Sequence, residues 1–457
     1  MDSVDTGFDR LSYSVGLSAV ASYGAYAPFW LQSNRLGDIS ATPFSGMMHV
    51  GLYKPATRHH RWYDYDFAVD LAGRLDTRGG TGWFRQLYAH LRLLYFDFTV
   101  GITPMSCGNQ DPLLSSGGLL FSNNAHPLPR ITVGLDQWTP FPLTFGFLEI
   151  KGGITHAWVI DQTYVQNYFI HHKFIGGRLG GHLPLRVSYE FHHAAQWGGM
   201  HPIYGNLGNN WRAFSNAFLA RSGGAMANDQ INAQGNHLGM QCLGLDVVTD
   251  PVSVSLYWQS IFEDGPVRFI GCGLNARDGL WGVSLRFHRF PYISGVCYEV
   301  LNTTDQSGPF HDRDGYVFGG RDTYYTNGGV YRNGWNYFLR SIGTPLITSP
   351  LYNTDGSLAT LNSRVRTHHI ALMGNIEGFR YRLMATYTRN WGNYAATGGP
   401  THPISRNTAL LLAFTKHVPQ AWHLDFSLDL AADFGTQFGN TFGAMLTVSK
   451  SGLLTQW

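Results

Sequence analysis

The chain has 457 residues, of which 14% are charged and 14% aromatic, with 55 glycines and a formal net charge of +2. Soluble domains are about 25% charged, and no linker, charge run or composition shift marks the domain boundaries this length would suggest, so residues 1–457 read as one domain. The small net charge and the lack of a basic stripe exclude a nucleic-acid partner, and no apolar run reaches the roughly 18 residues of a transmembrane helix. A mean hydropathy of −0.14 resembles that of a soluble protein. A transmembrane β-barrel gives the same value, because only alternate residues of its strands meet lipid.

Met1–Arg10 is polar and acidic, so no signal peptide is read here. For an exported protein the sequence is then the mature chain behind a start methionine. Leu11–Ser22 suits a first strand or a short helix. Within residues 1–45, the irregular stretch Gly24–Ser40 carries Phe29, Trp30 and Leu31 and is expected to form a buried plug. Clear alternation follows. Tyr63, Tyr65, Phe67, Val69 and Leu71 oppose Asp64, Asp66, Ala68 and Asp70; Leu87, Ala89, Leu91 and Leu93 oppose Gln86, Tyr88, His90 and Arg92. Successive strand residues point to opposite faces, so each such segment has one oily and one wet side. After a loop at Ser106–Arg130 strands resume at Ile131–Leu135 and Leu143–Ile150, and the same pattern returns at Leu185–His192, Val252–Gln259, Trp281–His288, Val296–Val300 and Trp422–Leu430.

The connections between these segments alternate in length. Thr249–Pro251, Arg289–Tyr292, Asn375–Gly378 and Lys416–Ala421 are short, whereas His193–Asn236, Ile261–Asp278, Asn302–Asn362 and Asn390–Asn407 are long. All short turns therefore belong on one rim and all long loops on the other, the asymmetry of an outer-membrane barrel. A spanning strand takes about 9–11 residues, which predicts roughly 16–18 antiparallel strands, with the upper end preferred. The chain ends on Trp457, an aromatic like that closing the last strand of exported barrels.

Several stretches, taken together and in order, resemble the Wzi-like capsule-assembly family of Gram-negative outer-membrane barrels. They are APFWLQSNRLGDIS (Ala27–Ser40), GGLLFSNNAHPLPRITVGL (Gly117–Leu135), HHKF (His171–Phe174), QWGG (Gln196–Gly199), FEDG (Phe262–Gly265), YEVLNTTDQSGP (Tyr298–Pro309) and GTPL (Gly343–Leu346). The resemblance implies an eighteen-stranded barrel, a periplasmic helical plug and a lectin-like role in holding capsular polysaccharide. It transfers no specific ligand residue. The four cysteines, Cys107, Cys242, Cys272 and Cys297, are a departure from the family; they form no CxxC pair and fit neither a zinc site nor a dense disulfide framework.

Sugar recognition requires flat aromatic faces for pyranose C–H surfaces and amides or carboxylates for hydroxyls. The long loops supply both, and the candidate polysaccharide-binding residues are Trp197, Trp211, Asn302, Asp305, Gln306, Tyr324, Tyr325 and Trp335. The competing role for each aromatic is loop packing or an interfacial girdle. Four adjacent histidine pairs, at His59, His171, His192 and His368, place their two rings on opposite strand faces and cannot clamp one metal ion. A calcium-type loop starting at Asp312 has Tyr316 and Thr323 where oxygen and carboxylate ligands belong. No GxSxG, HExxH or P-loop occurs, and inward carboxylates such as Asp70, Glu190 and Glu299 are expected to pair with Arg92, Arg186, Arg286 and Arg382. The expectation is a non-enzyme without cofactor or metal. Its partners are surface polysaccharide and outer-membrane lipid, with room for other envelope proteins. A diffusion channel is the alternative, and a plugged lumen with inward Tyr88 and Tyr257 favours the anchor.

Overall fold

The alternating segments form eighteen antiparallel strands of one sheet. The computed structural model describes residues 11–56, 62–223, 233–263, 278–306, 311–313, 316–319, 321, 323–326, 329–394 and 403–454. Trp457, Cys272, His59, His60 and part of the candidate calcium loop lie outside these. The barrel strands are β1 (Ser12–Tyr23), β2 (Phe44–Lys54), β3 (Tyr63–Asp76), β4 (Gly79–Leu93), β5 (Phe96–Ile102), β6 (Pro129–Pro140), β7 (Leu148–Trp158), β8 (Phe169–Leu179) and β9 (Leu185–Trp197). They continue as β10 (Asn236–Val248), β11 (Val252–Phe262), β12 (Gly279–Phe287), β13 (Gly295–Asn302), β14 (Val365–Ile376), β15 (Phe379–Asn390), β16 (Ser405–Val418), β17 (Leu424–Gly435) and β18 (Thr441–Leu453). Each strand pairs with its sequence neighbours, and β1 closes the sheet on β18 with Ser12 opposite Leu453 and Tyr23 opposite Phe442. Closure leaves no unpaired sheet edge, which a membrane would not tolerate. No helix among the described residues is long and apolar enough to cross a membrane.

Leu11–Ser22 resolves as strand, because Val15 and Leu17 on the outside alternate with Gly16 and Val20 on the inside. The other alternations fall as expected except at their ends: Trp422 and His423 belong to the turn before β17, His288 to the turn after β12, and Leu143–Phe147, expected in a strand, to the turn between β6 and β7. On β17, Phe426, Leu428, Leu430 and Phe434 are exposed outward while Asp429 and Asp433 are buried inward. The register shift opposite Asp70 and Leu71 places an extra residue, Arg85, in β4; Arg85 reaches two inward carboxylates from there.

Following the strands, every turn at 94–95, 141–147, 180–184, 249–251, 288–294, 377–378 and 419–423 lies on one rim with both chain ends. The long connections share the other rim, together with short links at 77–78 and 436–440. Three connections of that long-loop rim turn inward and fill the lumen: residues 24–43, 103–128 and, in the third, 323–326 and 329–364. The plug expected at Ala27–Ser40 is thus present, containing the one-turn helix α1 (Phe29–Gln32), but it enters from the long-loop rim and not from the periplasmic side. Ser106–Arg130, expected only as a loop, and much of Asn302–Asn362, expected as an outward loop, make up the rest of it. Leu119, Leu120, Phe121, Tyr324, Tyr325 and Trp335 are at most 2% exposed and form its core.

Candidate functional site

The polar inner face of the barrel holds the plug, and several inward carboxylates anchor it. Arg85 donates to Asp38 of the plug and to Asp70 of β3, both at 2.8 Å. Arg286 on β12 forks onto Asp111 at 2.5 and 2.6 Å. Glu299 on β13 accepts from the hydroxyls of Ser115 and Tyr257, each at 2.6 Å, and from Ser116 through its backbone N–H at 2.7 Å and its hydroxyl at 2.5 Å. Near α1, the Phe29 N–H donates to Asp433 at 2.7 Å, Trp30 Nε1 to Thr386 at 3.0 Å and Arg35 to Asp429 at 2.5 Å. Charge-assisted bonds of this kind are the strong ones in a low-dielectric interior. Of the arginines singled out from sequence, Arg92 pairs with Asp97 at 2.7 Å and Arg286 with Asp111, whereas Arg186 and Arg382 donate to the backbone carbonyls of Leu183 and Leu113. Arg35 and Arg85 were not foreseen, because their partners lie on other elements.

The eight candidate polysaccharide residues fall into three places. Tyr324, Tyr325 and Trp335 belong to the plug core: Trp335 Nε1 donates to the Leu120 carbonyl at 2.7 Å, Tyr325 donates to the Leu119 carbonyl, and Tyr324 reaches the Ile261 carbonyl at 3.4 Å. Asn302, Asp305 and Gln306 cluster at the long-loop rim around the buried carboxylate of Asp278. That carboxylate accepts from Asn302 Nδ2 at 3.0 Å and from the backbone N–H groups of Asp305 and Gln306 at 2.9 and 2.7 Å. Burial pushes the Asp278 carboxyl up to about 7 against these donors. Gln306 is itself buried, donating to the Ser363 hydroxyl.

Trp197 and Trp211 lie on the outside of the wall. Residues 198–235 carry the helix α2 (Trp211–Leu219), started by Asn210, whose side chain accepts from the Ala213 N–H at 3.0 Å. The helix lies on the outer face of β8 and β9. Its buried Ala213 and Ala217 allow close approach, and Phe214 packs 5.5 Å from the Trp197 ring. Beneath it sit the outward histidines His156, His171 and His193 and Lys173, which caps the helix by donating to the Phe218 carbonyl. The partners His172 and His192 point into the lumen, where their rings stack 5.4 Å apart. Adjacent histidines are thus split across the wall as strand geometry requires. Trp197 is covered and Trp211 is 78% exposed. Trp197 and Trp335 stand on opposite sides of the wall, since the neighbouring Gln196 points inward to the Gly334 carbonyl at 2.8 Å.

Two further features bear on chemistry. Beside the plug, two polar cavities of about 290 Å³ each share Ser106; one is lined by Arg130, Lys151, Glu190 and His192, the other by Arg35, Asp111 and Arg382. Among the described residues no group of three or more His, Cys, Asp or Glu is placed to hold a metal, and Cys107, Cys242 and Cys297 are unpaired thiols.

No family model and no curated protein matches the sequence. Solved structures do match in fold. Wzi from Escherichia coli, described as an outer-membrane protein involved in group 1 capsule assembly and a carbohydrate-binding β-barrel, aligns over 97% of this chain and 84% of its own, at 13% identity and a TM-score of 0.57. OccAB2 of Acinetobacter baumannii aligns over 98% and 99% at 10% identity and a TM-score of 0.48, and OccK5 of Pseudomonas aeruginosa over 97% of each chain at 10% and 0.47. At these identities the likeness is one of fold. The chain has the eighteen-stranded architecture of a Gram-negative outer-membrane barrel.

Proposed function

We propose that this protein sits in the outer membrane and anchors capsular or related surface polysaccharide there, without catalysing a reaction, as a Wzi-like protein. The observation that supports this reading over a diffusion channel is the filled lumen, with three segments bonded to one another and to the wall. The alignment with Wzi, named as a carbohydrate-binding barrel, is compatible with it. Of the eight candidate residues, we assign direct contact to Asn302 and Asp305 at the long-loop rim, where both are partly accessible. Tyr324, Tyr325, Trp335 and Gln306 would shape that surface from beneath. Each sugar contact is weak, so retention depends on many repeats of a long glycan engaging many copies of the protein.

Two measurements test this together. In planar bilayers the purified protein should show no steady conductance, and cells lacking it should shed capsule into the medium. Asp305→Ala should lower retention while the barrel still shows its heat-dependent shift on electrophoresis. Steady conductance of the intact protein transfers the assignment to a channel, and normal capsule on cells lacking the protein removes the anchoring function.

A further inference from the structure

The outer wall at β14, β15 and β16 carries three arginines side by side. Arg366 is paired across the sheet with Arg389, and Arg389 with Arg406. All three occupy the outward face: they stand in the same alternation as Ile370, Tyr387 and Leu410, which are exposed to the outside. They sit at the long-loop ends of their strands, and neighbouring strands are about 4.8 Å apart, so the row spans roughly two strand spacings. Among the described residues none of the three has a carboxylate partner. Arg366 donates to the Asn302 side-chain carbonyl at 3.3 Å, and the guanidinium groups of Arg366 and Arg389 lie 5.9 and 4.9 Å from the Trp391 ring.

Directly below lies an apolar groove of about 1220 Å³ on the same outer face. Its floor is made by small side chains, Ala385 and Ala432, and its walls by Ile370, Leu410, Leu430 and Phe442. Cross-strand pairing ties it to the row: Ala385 stands opposite Leu410, Leu410 opposite Ala432, and Ala432 opposite Phe442. Ala385 is four residues from Arg389 along β15, about 13 Å at strand rise. A flat lipid face needs no hollow, and an arginine row needs a counter-charge. Guanidinium forks match phosphate oxygens bidentately, and a groove floored with alanine admits acyl chains.

We propose that this face is a specific site for one phosphorylated, multiply acylated glycolipid of the outer leaflet, its phosphates on Arg366, Arg389 and Arg406 and its acyl chains in the groove beneath. The site adjoins the glycan-retaining surface where Arg366 meets Asn302, and it does not depend on that assignment.

The test titrates detergent-solubilised protein with bisphosphoryl lipid A, with its dephosphorylated form and with inorganic phosphate, read by native mass spectrometry. Lipid A should bind in preference to the dephosphorylated form, and inorganic phosphate should not displace it. The combined Arg366→Gln, Arg389→Gln and Arg406→Gln variant should lose at least about tenfold in lipid A affinity, about 1.4 kcal/mol. The corresponding triple Arg→Lys variant should keep part of it, and Ala385→Phe with Ala432→Phe should weaken binding with the arginines intact. The heat-dependent electrophoretic shift confirms that each variant is folded. Affinity of the glutamine variant within about twofold of the parent, undiminished binding by the groove-filled variant, or displacement by inorganic phosphate each overturns the proposal.

Discussion

Asp278 shows how one buried side chain orders a rim. It immediately precedes β12, and its two oxygens gather one side-chain and two backbone donors from Asn302, Asp305 and Gln306. Burial is the larger influence and raises its carboxyl from 3.8 to about 7, so the folded form prefers the proton more than the unfolded chain does. The sign follows from linkage. The stability contributed by protonated Asp278 is complete below pH 3.8, declines as the unfolded chain ionises, and is gone once the pH passes about 7. Protease cleavage near residues 303–306 should therefore become faster as pH rises across that window. Asp278→Asn, which keeps the shape and one acceptor, should flatten the profile; an unchanged slope in the variant would show that another group sets it.

Single strands carry the barrel, and they were the part most legible in the sequence. A period of two is local, so Asp425, Ser427 and Asp429 alternating with Phe426, Leu428 and Leu430 reveals both faces without knowledge of any partner strand. The cost of violating the pattern is correspondingly asymmetric. Leu428→Arg puts a charge on the lipid face near the middle of β17 and should cost roughly 2–4 kcal/mol in reversible unfolding from lipid vesicles. Ser427→Arg turns a charge into the polar lumen, where only the 2.8 Å bond to the Thr415 hydroxyl is lost, and should cost much less. Equal losses at the two positions would contradict the observed facing. Loop destinations were not legible in the same way. Trp335 meets Leu120 across 215 positions, Arg340 meets Gln32 across 308, and nothing in either neighbourhood's spacing encodes its partner. Three of the aromatics assigned to an outward surface from sequence, Tyr324, Tyr325 and Trp335, are for that reason in the core of the plug, and the helix Trp211–Leu219, read only as loop, covers a histidine-rich stretch of the outer wall. The arginine row was half within reach: the tight turn at 377–378 fixes the hairpin register that sets Arg366 opposite Arg389, whereas β15 and β16 are joined by a long connection whose length does not encode Arg406 opposite Arg389.

At the scale of the molecule, the wall and the plug solve separate problems. The wall satisfies every strand by closure, and this would serve an open channel as well as a filled one. The plug decides between them. Its three segments are interdependent: Arg340 of the third reaches the carbonyls of Gln32 and Ile39 in the first, at 3.3 and 2.6 Å. Asn34 of the first donates to Ser116 of the second at 2.9 Å, and Ser122 of the second to Gly343 of the third at 2.7 Å. Removing Gly24–Ser40 with a short glycine linker therefore does more than empty its own volume. It leaves Asp429, Asp433 and Arg85 without their plug partners on one side of the lumen and withdraws two acceptors from a buried guanidinium. Water should enter along β15–β18 and β1–β4, where that segment made its wall contacts, while the second segment stays fixed by Asp111–Arg286 and Glu299 on the other side. The expected result in planar bilayers is a silent parent and a variant with a stable, small conductance, which grows when residues 104–127 are removed as well. A silent first variant would mean that the remaining two segments seal the lumen alone, and a conducting parent would mean that the packed plug leaves a water path through the barrel.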